Sequence, residues 1–307
     1  MNAMNSRIEA CRELPQGDSL EWFVHFVKDP EDELPSITLW LDAEADDLIG
    51  FVLGSPDEEE YLDSTLMVLE ANTGAGLRPQ RIMTDDPKLA RYLSDLLAPL
   101  DIAVEEGAPA SLPEGLIEDS VRDICRTMVV VDALPAERDE DMIDRVMDAL
   151  YELEEVNPWK TLGTSMLMIE GLGPSDAALI IDESALSFGV VLNDEGVHSE
   201  VDLQQNFEQN SVACQFASAT FMGIEGRWPL LAHGIQGPLE TSDEVELLLA
   251  TIEMLLRLSS CNPLPEEGKP VELELDEFVR APLTVRVTHA SLSPARESKR
   301  KPRKRRR

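Results

Sequence analysis

The chain is poor in cysteine, in aromatic side chains, in long apolar runs and, over most of its length, in positive charge. Its four cysteines, Cys11, Cys125, Cys214 and Cys261, are far apart and form no Cys-x-x-Cys pair. With no histidine beside them at ligand spacing, a zinc site has no sequence support, and four free thiols are expected. Cys125 and Cys214 fall in apolar segments, where a thiol behaves as a small hydrophobe. No apolar run approaches the roughly 20 residues that cross a bilayer. The opening MNAMNSRIEACRELPQGD lacks the charged-then-apolar pattern of a signal peptide. These absences predict a cytoplasmic protein that neither spans nor binds a membrane and needs no cofactor.

Basic residues are scarce and unevenly placed. Of 26 Lys and Arg, nine lie in residues 296–307: Arg296, Lys299, Arg300, Lys301, Arg303, Lys304, Arg305, Arg306 and Arg307. Residues 1–295 therefore keep 17 basic against 59 acidic side chains, a net charge of −42. A body of that sign repels phosphate backbones, so any nucleic-acid contact is expected from the basic tail alone. A Ser/Pro/Lys/Arg segment cannot bury apolar area, and residues 291–307 read as a disordered tail.

The 43% apolar content is ample for a packed interior, and 307 residues suggest two domains. Residues 1–35 read as a docking segment around the apolar patch Trp22–Val27, a strand or short helix. Residues 36–135 read as an α/β domain of three layers. It has strands at 37–41, 48–53, 80–84 and 102–105, a helix from Ser55 to about Ala71, and another near 116–125. Asp86 as N-cap and Pro87 at N1 open a further helix. Its residues Leu89, Tyr92, Leu93, Leu96, Leu97 and Leu100 follow helical spacing.

Residues 136–290 read as an α+β domain with a mainly antiparallel sheet. It opens with a helix near 139–155 whose outer face is almost all acidic. Strands at 165–170, 177–181 and 187–192 suggest a meander, and another falls within 212–222. Thr241 and Glu244 form a capping box before a helix over 245–258 that is apolar nearly all round, hence buried. Strands at 271–275 and 283–287 close the domain.

Candidate chemistry is sparse. Asp42, Asp85 and Asp86 end strands and are the candidates for holding a divalent metal in a phosphoryl hydrolase. The competing reading makes Asp86 an N-cap and Asp46-Asp47 a turn. GLGPSD (171–176) lacks the Lys-Ser/Thr pair and following helix of a phosphate loop and reads as a turn. His25, His198, His233 and His289 are isolated, each an ordinary hydrogen-bonded or surface imidazole. Trp159 in NPWKTL and Trp228 in GRWPLL each neighbour a proline and read as corners that plug a core or line a groove between the halves.

Several stretches together resemble an uncharacterised bacterial family built of two successive domains of unknown function. They are ITLWLDA, RPQRIMTDDPKLARYLSDLL, NPWKTL, LSFGVVLNDEGV, GRWPLL and the closing Leu-rich helix, spread over about residues 36–260. The resemblance implies a cytoplasmic α/β protein with no established activity and no catalytic residues to carry over. Relatives often append a Cys-rich SEC-C module or another small adaptor domain; here the basic tail stands in that place. The resulting expectation is a non-enzymatic binding or adaptor protein with a protein partner or a weak nucleic-acid contact. The alternatives are the metal-dependent hydrolase and an acidic decoy that imitates nucleic-acid charge.

Overall fold

A computed structural model describes residues 8–9, 11–15, 21–28, 35–42, 47–54, 68, 78–172, 176–192, 210–234, 237–261 and 269–290. The predicted helix at 55–71, the middle of GLGPSD, His198 and the whole basic tail lie outside the described residues, apart from Val68, which is helical. The chain divides into two compact units: residues 1–125 with 219–226, and residues 126–218 with 227–307.

The first unit is built on a five-stranded sheet ordered β3-β2-β1-β4-β5. Its strands are β1 (Glu21–Val27), β2 (Ile37–Asp42), β3 (Asp47–Leu53), β4 (Arg81–Thr84) and β5 (Ala103–Glu106). β1, β2 and β3 form an antiparallel meander, while β4 runs parallel to β1 and β5 parallel to β4. The sheet is therefore mixed. The apolar patch expected to dock on this domain is instead its central strand.

Helix α1 (Pro87–Leu97) connects β4 to β5. The Asp86 carboxylate accepts the backbone N–H groups of Lys88 and Leu89 at 2.7 and 3.0 Å, the predicted cap. Leu89, Leu93 and Leu97 come round on one face and join Trp22, Val24, Trp40 and Ile82 in one apolar cluster. Alternate residues of β1 and β2 (Phe23, Leu39 and Leu41) are also buried, so both faces of the central strands are covered.

Helix α2 (Leu116–Ala133) is longer than its predicted span, because RTMVVVDA continues the turn with no breaker before Pro135. Helix α3 (Glu140–Val156) is capped by Asp139, whose side chain accepts from the Met142 N–H at 2.9 Å. A short helix α4 (Trp159–Leu162) follows it.

The second unit carries an antiparallel seven-stranded sheet ordered β10-β9-β8-β7-β6-β12-β11. The strands are β6 (Ser165–Glu170), β7 (Ala177–Asp182), β8 (Ser187–Leu192), β9 (Val212–Phe221), β10 (Ile224–His233), β11 (Val271–Leu275) and β12 (Leu283–Ala290). The predicted meander of β6, β7 and β8 continues through β9 to β10, a strand not expected from the sequence, and β12 returns to pair with β6. Every second residue faces the same core: Leu179 and Ile181, Phe188 and Val190, Val212 and Cys214, Val285 and Val287.

Helix α5 (Ser242–Ser259) packs against α3 and supplies Val245, Leu248, Leu249, Ile252 and Leu255 to that core. Its start is the predicted capping box, with Thr241 and Glu244 exchanging side-chain bonds to each other's backbone. A fully buried Leu contributes about 1.5–3 kcal/mol, so this helix is held by packing more than by propensity.

Candidate functional site

The mixed topology decides what the three candidate aspartates do. β2 runs against β1 and pairs Asp42 with Trp22, which is level with Ile82 of β4. Asp85 lies three residues beyond Ile82, about 10 Å further along the strand direction at ~3.3 Å per residue. Asp42 is thus at the opposite end of the sheet from Asp85 and Asp86, with β1 between their strands. The structure brings Asp85 and Asp86 together and leaves Asp42 apart. Among the described residues no group of three or more His, Cys, Asp and Glu side chains is arranged to hold a metal ion.

The parallel pairing instead gives Asp85 a partner that sequence reasoning missed. His25 Nδ1 lies 3.0 and 2.9 Å from the two Asp85 carboxylate oxygens. The two residues are 60 positions apart, and only the β1–β4 register reveals the pair. His233 also meets a carboxylate, its Nδ1 lying 2.9 Å from Glu244 Oε1 at the start of α5. His25 is an ordinary hydrogen-bonded imidazole, as expected, whereas His233 Nδ1 has no hydrogen bond despite that approach. Thr84, buried beside this end of β4, accepts the Asp86 N–H at 3.3 Å and tightens the strand-to-helix corner.

Trp159 and Trp228 are both buried. Trp159 stacks on Phe188 at 6.1 Å and meets the edge of Phe216 at 6.3 Å, so its ring belongs to the second unit's core. Trp228 lies within β10 rather than at a corner, a correction to the Trp-Pro reading. The four cysteines are free thiols. Cys11, Cys125 and Cys214 are buried, and burial pushes the Cys214 thiol pKa far above its ordinary value.

The charged groups show a consistent pattern. Arg12, Arg81, Arg122, Arg126, Arg145, Arg257, Arg280 and Arg286 all pair with carboxylates. Hydrogen bonding to Glu21 holds the Arg81 pKa above its usual value, as Glu253 and Glu272 do for Arg257 and Arg286. These eight arginines are thus engaged by the body's own carboxylates.

Two carboxylates on α5 were hidden from sequence reading by the apolar residues around them. Glu253 accepts backbone N–H groups from Asp276, Glu277 and Phe278 at 2.8–3.2 Å. Seven residues earlier, Glu246 accepts the Arg280 N–H at 3.2 Å and binds the Arg145 guanidinium at 2.6 Å. Arg145 also donates to the Phe278 carbonyl at 3.2 Å. Together they fasten the β11–β12 connection across α5 and α3.

The fold is thus a mixed sheet with α1 followed by an antiparallel sheet on α3 and α5, and no described cluster defines a reaction centre. A family model described as a domain of unknown function (DUF6930) matches residues 7–121, which include every strand of the first sheet. No curated protein matches the chain. No helix among the described residues is long and apolar enough to cross a membrane.

Proposed function

We propose that this chain is a non-enzymatic, cytoplasmic binding or adaptor protein. In this reading residues 296–307 make a weak electrostatic contact with nucleic acid while the folded body stays clear of it. The observation that carries the reading is the separation of charge. Eight arginines of the body are spent on carboxylates in ion pairs, residues 1–295 have a net charge of −42, and nine cations sit together beyond them. A short cationic segment releases counterions from a phosphate backbone, which gives non-specific dissociation constants of about 10⁻⁴–10⁻⁶ M at physiological salt. With a screening length of about 8 Å there, a segment extending from the body contacts phosphates with little repulsion from the acidic surface.

Two further points support the reading. Asp42 stands apart from Asp85 and Asp86, which counts against the hydrolase. The match to a domain of unknown function over residues 7–121 is consistent with an uncharacterised family.

Retention of RNA and duplex DNA by the full chain and by residues 1–295, at about 50 and 200 mM salt, tests the proposal. The full chain is expected to bind both, weakening steeply with salt, and the shortened chain to bind neither. Equal retention by the two proteins, or retention indifferent to salt, overturns it.

A further inference from the structure

The C-terminal half of α3 and the β11–β12 connection enclose an open groove of about 570 Å³. Its walls carry four carboxylates, Asp148, Glu152 and Glu155 from α3 and Glu277 from the connection. Its apolar surface comes from Tyr151, Val156 and Phe278. Tyr151 and Val156 are 37% and 40% exposed, two of the five large apolar side chains open to water among the described residues. An apolar strip flanked by acids fits a cationic segment with long aliphatic stems, which lays its methylenes on the strip and its charges on the walls. The Tyr151 ring already takes a guanidinium, that of Arg126, centred 4.7 Å away. Burial and the like charges of Glu277 and Glu155 raise the Glu152 pKa above its usual value even with Arg257, paired to Glu277 at 3.5 Å, opposing them, so a further cation relieves repulsion already present.

We propose that the occupant is the basic end of the chain's own tail, Lys299–Arg307, docked along α3. The choice of occupant rests on charge and reach. The groove adjoins residues 277–278, just before the start of β12, whereas Ala290 is at the far end of that strand. Returning along an eight-residue strand requires about 26 Å at ~3.3 Å per residue. Lys299 is nine residues beyond Ala290, about 30 Å of extended chain, so Lys299 to Arg307 are the residues that arrive at the groove. Tethering raises the effective concentration most where the r.m.s. reach of the chain matches the span, about 21–25 Å for Arg307, seventeen residues beyond Ala290, which favours a weak electrostatic contact. Joined to the function proposed above, docking makes the segment self-masking: nucleic acid must displace it from α3.

The test uses the full chain. Zero-length carbodiimide coupling followed by peptide mass spectrometry maps which carboxylates Lys299, Lys301 and Lys304 touch. Links are expected to concentrate on Asp148, Glu152, Glu155 and Glu277 and to be unchanged over a tenfold dilution. In parallel, tryptic cleavage within residues 296–307 is expected to accelerate at least threefold in D148N/E152Q/E155Q. A control neutralising as many carboxylates elsewhere, E105Q/E106Q/E274Q, should move it less than 1.5-fold. Links scattered over the body, links that fade on dilution (the segment of a second copy), or equal acceleration by both variants overturn the proposal. No nucleic acid is present, so this outcome is independent of the retention experiment.

Discussion

The carboxylate of Glu253, 1% exposed inside α5, accepts the buried backbone N–H of Phe278 at 3.1 Å. The two residues belong to different elements, and through this bond the helix interior fixes where the β11–β12 connection turns. Glu253→Ala leaves the N–H groups of Asp276, Glu277 and Phe278 without their acceptor, and a loss of about 2–4 kcal/mol is expected in urea unfolding. Glu253→Gln keeps one acceptor oxygen and should fall between the two. Hydrogen exchange at residues 276–278 should accelerate before the rest of the sheet does.

Asp86 distinguishes a cap from a metal ligand. Asp86→Ala removes the acceptor for the Lys88 and Leu89 N–H groups and should cost about 1 kcal/mol, while Asp86→Asn should cost a few tenths. Calorimetric titration with Mg²⁺ or Mn²⁺ should give the same negligible heat for wild type, Asp86→Asn and Asp42→Ala. Tight binding abolished by Asp42→Ala would revive the hydrolase.

Asp182 gives a pH dependence with a definite sign. Its Oδ1 accepts the Ser184 hydroxyl at 2.6 Å and the Ser184 and Ala185 N–H groups at 2.9 and 3.3 Å. The Ser184 hydroxyl is the main cause that lowers its pKa; burial, the next largest, opposes it, and the Ala185 and Ser184 N–H groups lower it further. A carboxyl depressed in the fold contributes stability above its unfolded pKa of about 3.9 and loses it as pH falls through the folded value. Asp182→Ala should therefore cost about 1 kcal/mol at pH 7. That cost should shrink below about pH 4, as followed by thermal unfolding across pH.

Thiol labelling separates the cysteines. Cys261 is half-buried, while Cys11, Cys125 and Cys214 are buried. Iodoacetamide should modify Cys261 in the native protein and the other three only after denaturation; in the fold, burial disfavours the Cys214 thiolate. Native labelling of Cys214 would show that the core around Phe188 and Leu179 opens.

What could be read in the sequence was local. Asp86-Pro87 with its leucine stripe defines α1, and Thr241 with Glu244 opens α5, because caps and helical spacing are short-range signals. The strands of the second sheet other than β10 alternate legibly for the same reason. Partners at long range were not legible. Nothing in Trp22–Val27 says that it will lie between β2 and β4, since a docked strand and a central one share one hydrophobic pattern. His25 finds Asp85 only through that register. Glu253 was hidden by surrounding leucines, because periodicity counts apolar positions and cannot see a buried acid whose partners are amides. Trp228-Pro229 was read as a corner although it sits in β10, a strand at the edge of its sheet, where proline is tolerated.

The order β3-β2-β1-β4-β5 has a consequence for birth on the ribosome. β1, β2 and β3 zip together through neighbouring segments, a cheap local event. The parallel side of β1 must then wait for β4, 60 residues downstream in the pairing of Glu21 with Arg81. At about 5–20 residues per second that flank stays open for several seconds with Trp22 and Val24 on its strand. The nascent chain thus passes through a half-built sheet, and that interval is when a chaperone has most to grip.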